Sequence, residues 1–344
     1  LDFHLFCLEE MIDAGQMPVA EAFAQRLLVL APTDFRCVSA AARFECKAGR
    51  PERGFALAEG YVRTADATAG DLPTKTARAA ELLDELARLP NVKRTDLARK
   101  MVKSAVEKYE GLAATRPEAA VAAAGLIAAA GRPADAFAFV EKFAKSLTPK
   151  LKVAAGITVL RGAECSERQF ATVRGWLDSA LAAEPESLTL RLNEGEYFAL
   201  RRDYAASEKA YRTVLDRDPR NVVALNNLAW ILAPRPESAK DALGLIDRAV
   251  SEMGLTGELL DTRARVRIAS KQFELAERDL KEALTQEKTP LRMFHYALAK
   301  QGQTPPQTDE ARDAFQQAKK RGLEPTTVHP ADLPMFRVLD AERK

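Results

Sequence analysis

Four cysteines, three histidines and two tryptophans are all that 344 residues contain of these types, and their scatter excludes several kinds of chemistry. Cys7, Cys37, Cys46 and Cys165 form no CxxC pair. Cys37 and Cys46 fall on one expected helix, where nine residues at about 1.5 Å each separate them too widely for a bridge. Buried free thiols are the expectation, which favours a reducing, cytoplasmic compartment over a periplasmic or envelope-associated one. His4, His295 and His329 are far apart, without an HExxH or an acidic calcium loop, so no metal and no cofactor is expected. No glycine-rich phosphate loop occurs. Excess charge of one sign is also missing: 51 basic against 49 acidic residues leave +2, which is no electrostatic footprint for nucleic acid. Long hydrophobic runs are absent as well. The longest uncharged one, 119–131, is Ala-rich, broken by Gly125 and short of the roughly 18 residues a membrane helix needs, so no direct membrane insertion is expected. The first residues, LDFHLFCLEEMIDAG, carry acids where a signal peptide has a basic start, and the chain reads as a processed or excised part of a longer soluble protein.

What is present is a period. Glu184-Pro185 and Asp218-Pro219 end two segments 34 residues apart, and Phe170 and Tyr204, Leu177 and Tyr211, Ala180 and Val214 share that offset. Ala242, Ala276 and Ala311 continue it in steps of 34 and 35, as do Ile246, Leu280 and Phe315; Gly15 and Gly49 show it near the start. Within each unit apolar residues recur at i, i+3, i+4 and i+7 on two successive stretches, the mark of two amphipathic helices joined by a tight turn. In 188–221 the small residues Gly195 and Ser207 allow close approach of the two helices, beside Tyr204 and Tyr211, before Asp218-Pro219 stops growth.

These residues resemble the tetratricopeptide repeat. Leu225, Leu228, Ala229, Leu232, Ala242, Ile246 and Ala249 match its pattern in one unit. Leu260, Ala264, Phe273, Ala276, Leu280 and Ala283 do so in the next, and Phe294, Ala297, Leu298, Ala311, Phe315 and Ala318 in a third. The resemblance implies an all-α fold, an α-solenoid of helix-turn-helix repeats in a right-handed superhelix. Residues 1–68 are expected to form degenerate repeats and 69–153 irregular helical hairpins, with helices near 73–89 and 95–114 after a break at Thr64–Thr74. The regular array spans 154–324, and 325–344 forms a C-terminal capping segment, its helix at 331–341 offering Leu333, Phe336 and Leu339 to the last exposed interface. The stretches LNNLAWILA, LLDT and FHYALAKQG also resemble bacterial envelope- or secretion-associated repeat proteins.

No catalytic constellation emerges, and a non-enzymatic role is expected. Cys165 has no base placed near it by sequence, and Trp176 reads as packing between repeats. In the resembling family the first helix of each repeat lines the concave surface. This register puts Leu192 and Glu196, Asn226 and Trp230, Asp261 and Arg265, and Arg292 and His295 into the groove as a mixed stripe. Asn227, by contrast, falls where the family bonds one helix to the next. A clamp for a partner's terminal carboxylate is disfavoured, because Leu192, Glu196, Glu258 and Thr262 occupy its positions and Asn227 alone fits. The expected function is a protein-interaction scaffold that binds an extended peptide or helix of another protein on the concave face. The alternative is a regulatory or substrate-recruiting portion of a larger enzyme or secretion assembly. RNA binding is disfavoured by Glu196, Asp261 and the near-zero charge.

Overall fold

The computed structural model describes residues 1–63, 72–89, 91–93 and 95–341; residues 64–71 of the expected break lie outside them. The described residues contain α-helices, short 3-10 turns and no strand. They divide into two compact units, Leu1–Ala183 and Glu184–Lys344. In the first unit the helices are α1 (Asp2–Asp13), α2 (Met17–Leu30), α3 (Phe35–Lys47), α4 (Pro51–Tyr61), α5 (Leu72–Arg88), α6 (Asp96–Leu112), α7 (Glu118–Ala129), α8 (Pro133–Lys142), α9 (Pro149–Gly162) and α10 (Glu167–Ala183). In the second they are α11 (Leu188–Leu200), α12 (Tyr204–Arg217), α13 (Val222–Leu232), α14 (Ala239–Met253), α15 (Gly257–Ala269), α16 (Phe273–Gln286), α17 (Pro290–Gly302), α18 (Thr308–Lys320) and α19 (Leu333–Ala341).

Consecutive helices pack in pairs, and in the second unit first helices start at 188, 222, 257 and 290, steps of 34, 35 and 33. Two local devices recur along the helix pairs. Asn221, Thr256 and Thr289 cap α13, α15 and α17 by accepting from the backbone N–H of Ala224, Leu259 and Arg292, which satisfies an otherwise orphaned donor. At the other end a residue of positive φ closes the hairpin: Gly15, Gly49 and Gly131 in the first unit, Arg202 and Lys271 in the second. The next amide then reaches back to a carbonyl five residues earlier, as in Gln16 to Met11, Arg50 to Glu45, Arg132 to Ile127, Asp203 to Phe198 and Gln272 to Arg267. This is the Schellman geometry that ends a helix and reverses the chain.

Apolar residues from both helices of each pair form the cores. In the first unit Leu82, Leu83, Leu86, Met101 and Tyr109 build one cluster across α5 and α6, each 17 residues long. In the second, Tyr211, Leu225, Leu228, Leu232, Ile246 and Leu259 form a continuous cluster over α12 to α15. Ser207 donates to the carbonyl of Gly195 at 2.6 Å, and the Tyr211 ring fills the place a Cβ at Gly195 would take. The final cluster joins Phe294 and Phe315 to Phe336 and Leu339 of α19. That helix covers the last hairpin as the sequence pattern predicts. It begins at Leu333, two residues later than expected, because Pro330–Asp332 forms a separate 3-10 turn.

Candidate functional site

The first helices of the second unit form one layer. α11 packs on α13, α13 on α15 and α15 on α17, in addition to each helix's own hairpin partner. This layer carries all eight residues of the expected stripe, but they do not form an open row. Leu192 is half-buried against the central cluster, and Glu196 is partly exposed. Asn226 is only 7% exposed; its amide nitrogen faces Asn227 Oδ1 at 3.3 Å and Glu258 Oε1 at 3.5 Å, and its Oδ1 has no partner. Asn227 donates to the Tyr211 hydroxyl at 3.2 Å, bonding α13 to α12. His295, 2% exposed, is hydrogen-bonded through Nδ1 to Asp261 at 2.6 Å. Arg292 lies over Gly257, where a Cβ would collide with its guanidinium, and donates to the carbonyl of Glu287 at 2.9 Å. Asn226, His295 and Arg265 are therefore drawn inward rather than left solvated. The cause is common to all three: a helix one step along the layer supplies a polar partner or covers the side chain.

Arg265 is the centre of the site. Its guanidinium is 4% exposed and stacks over the Trp230 ring at 4.8 Å. Nη1 donates to the carbonyl of Trp230 at 2.7 Å and Nε to Asp332 Oδ2 at 3.0 Å, while Nη2 is buried without a partner. Asp332 belongs to the tail. There the chain makes two 3-10 turns, Pro325–Thr327 and Pro330–Asp332, with Val328 and His329 extended between them. The His329 ring sits 4.7 Å from Trp230, edge to face, and 5.6 Å from Tyr204. Its Nδ1 accepts from the Ala331 N–H at 3.0 Å, and its Nε2 is buried without a partner. Burial pushes the His329 imidazole down to about 4, helped by Arg265, Arg202 and His295 and opposed by Asp332, so the ring is neutral at pH 7 with its proton on Nε2. The tail thus lies as a strap against the first-helix layer. Tyr204, His329 and Asp332 were not among the residues the sequence singles out for this site.

No family model matches the chain, and no curated protein matches it by sequence. Solved structures do match. A monomeric mutant of IFIT1 with Gppp-AAAA is 12% identical at a TM-score of 0.51, over 93% of this chain and 77% of that one. The human IFIT1 dimer with m7Gppp-AAAA is 13% identical at 0.50, over 97% and 82%. A tetratricopeptide repeat protein from Parabacteroides merdae is 14% identical at 0.43, over 87% and 98%. The fold is that of tetratricopeptide repeats.

Elsewhere in these repeats the charged side chains serve the scaffold. Asp279, 5% exposed, accepts from Arg263 Nε and Nη2 at 3.0 and 2.7 Å and from Arg267 Nη1 at 2.6 Å. Lys300 bridges Glu277 and Glu310 at 2.8 and 2.7 Å. In the first unit Lys108 and Ser104 hold Glu59. The cysteines are free, and burial raises the thiols of Cys37, Cys46 and Cys165 above their ordinary range, Cys46 to about 11, which disfavours the reactive thiolate. Trp176 packs beside Phe137 under the Lys152 ammonium. Among the described residues no helix is long and apolar enough to cross a membrane, and no group of three side chains has the make-up of a metal site.

Proposed function

We propose that the chain is a non-enzymatic scaffold that holds a segment of a partner protein against the first helices of its C-terminal unit. Tetratricopeptide folds are generally protein-interaction scaffolds, and a layer of first helices offers many modest contacts along a trough. One observation carries the reading for this unit: the face already accommodates peptide. An irregular stretch of the chain's own tail lies on it, with a ring beside Trp230 and a carboxylate on Arg265. Aromatic and arginine anchors of this kind dominate binding energy at protein interfaces. IFIT1 was solved with capped RNA fragments, but here Glu196, Glu258 and Asp261 share the layer and Asp332 already pairs with its buried arginine. Polypeptide suits such a mixed face better than a phosphate backbone does.

The test is capture by the immobilised chain, compared with Trp230→Ala and Glu196→Arg variants matched for helicity by circular dichroism. Bound proteins identified by mass spectrometry are expected to be depleted in both variants, and cross-links are expected to map to first-helix residues. Equal recovery by all three proteins would move the working surface elsewhere on the molecule.

A further inference from the structure

The strap satisfies its site incompletely. Arg265 is almost wholly buried, yet it gives Asp332 a single hydrogen bond through Nε and leaves Nη2 without a partner. A carboxylate set squarely on the Nε and Nη2 edge would take two bonds, the stronger arrangement for guanidinium. His329 likewise buries an Nε2 with nothing to bond, and an unsatisfied buried donor weakens docking. Only Val328 in this stretch is a buried apolar side chain. The tail is held more firmly beyond the strap, where Phe336 and Leu339 of α19 are 2% and 1% exposed against Phe294 and Phe315. The strap can therefore lift while α19 stays in place.

We propose that residues 329–332 are an internal competitor for the groove, and that its external ligand is an acidic segment carrying an aromatic or imidazole ring three residues before a carboxylate. This rests on the groove reading above and adds the ligand's chemistry and its regulation. The ring enters the slot between Tyr204 and Trp230, and the carboxylate takes both donors, Nε and Nη2, on the free edge of Arg265. Binding and strap release are then one exchange, so affinity in trans is lowered by the fraction of molecules in which the strap is docked.

The experiment uses the full chain and a fluorescein-labelled peptide, Thr-Val-His-Pro-Ala-Asp-Leu, the sequence of residues 327–333, read by fluorescence anisotropy. A His329→Ala, Asp332→Asn double variant, its own strap disarmed, is expected to bind this peptide at least tenfold more tightly than wild type. Adding Arg265→Met should abolish that binding, as should replacing the peptide's aspartate by asparagine. Absence of binding to the disarmed variant, or equal binding to wild type, overturns the proposal. A native-state hydrogen-exchange measurement on the wild-type chain keeps it testable if the double variant fails to fold. The amides of Ala331 and Asp332 are expected to exchange at least a hundredfold faster than those of α15, and protection equal to α15 would make the strap a permanent cap. These outcomes separate the two readings: if the peptide test fails while Trp230→Ala still loses captured partners, the groove stands and the competitor falls. If the peptide test succeeds while Trp230→Ala retains every captured partner, the strap exchange stands and partner capture lies elsewhere.

Discussion

Gly195→Ala tests whether the helix pairs close as tightly as the small-residue pattern requires. A Cβ at Gly195 would lie 2.5, 2.7 and 2.8 Å from three atoms of the Tyr211 ring, so the ring or the helix must move. Tyr211 is 1% exposed; its hydroxyl accepts from Asn227, and Ser207 on the same helix holds the Gly195 carbonyl at 2.6 Å. A shift of α11 away from α12 stretches the second bond, and a swing of the ring breaks the first. Overpacking of this kind costs about 1 to 3 kcal/mol, against a helix-propensity gain of about 0.8 to 1 kcal/mol for replacing glycine by alanine. The packing term wins across most of that range, and a net loss of about 1 kcal/mol, at most about 2, is expected. Gly244 is the matched control: it lies mid-helix in α14 of the same unit with nothing within 4 Å of its would-be Cβ. Gly244→Ala should gain about 0.5 to 1 kcal/mol through propensity alone. Urea unfolding followed by far-UV circular dichroism reads both, and the two midpoints should move in opposite directions. A Gly195→Ala midpoint at or above wild type would refute the close-packing argument.

Asp279→Ala leaves two arginines facing a buried gap, and breaking such a network should cost about 3 to 5 kcal/mol, measured by the same urea midpoint; a loss under about 1 kcal/mol would make the cluster ornamental. Phe336→Ala removes the ring that α19 lays on Phe294 and Phe315 and should cost about 3 to 5 kcal/mol, with hydrogen exchange in α18 rising before that in α13. The third expectation concerns pH. His329 is held below its ordinary value of 6.5, at about 4, so the undocked strap binds more protons than the docked one in that window. Docking should be at full strength above about pH 6.5 and weaken as pH falls towards 4. Arg265 on α15, Arg202 at the turn before α12 and His295 on α17 all oppose protonation there, while Asp332 favours it. Trp230 fluorescence in a Trp176→Phe background should report the transition, and a His329→Gln variant should lose it.

Much of this fold is legible because the repeat states the same physical requirement several times. The 34-residue offset, the paired apolar faces and the proline stops each recur, so a degenerate match in one unit is supported by a better one in the next. Even so, the hairpin turns show how local chemistry can hide. Gly15, Gly49 and Gly131 mark their turns openly, whereas Arg202 and Lys271 take the same left-handed conformation without a glycine to announce it. The packing around them offsets a conformational cost that a free peptide would avoid.

The face proposed for binding was legible in its register but not in its state. Counting along the repeats brings Trp230 and Arg265 onto neighbouring first helices, and they do touch. What the count cannot supply is whatever covers them, because the covering residues stand outside the period. Asp332 is 67 residues from Arg265, in a proline-rich tail without amphipathic spacing. Its pairing depends on the tertiary path of that tail, whose far end is seated on the final hairpin through Phe336 and Leu339 of α19. Between α18 and α19 the chain passes Tyr204 and Trp230 with His329 before returning to the final hairpin. Cap and strap are distinct parts of one tail: Phe336 and Leu339 seat α19 on the final hairpin, while His329 and Asp332 lie against Trp230 and Arg265.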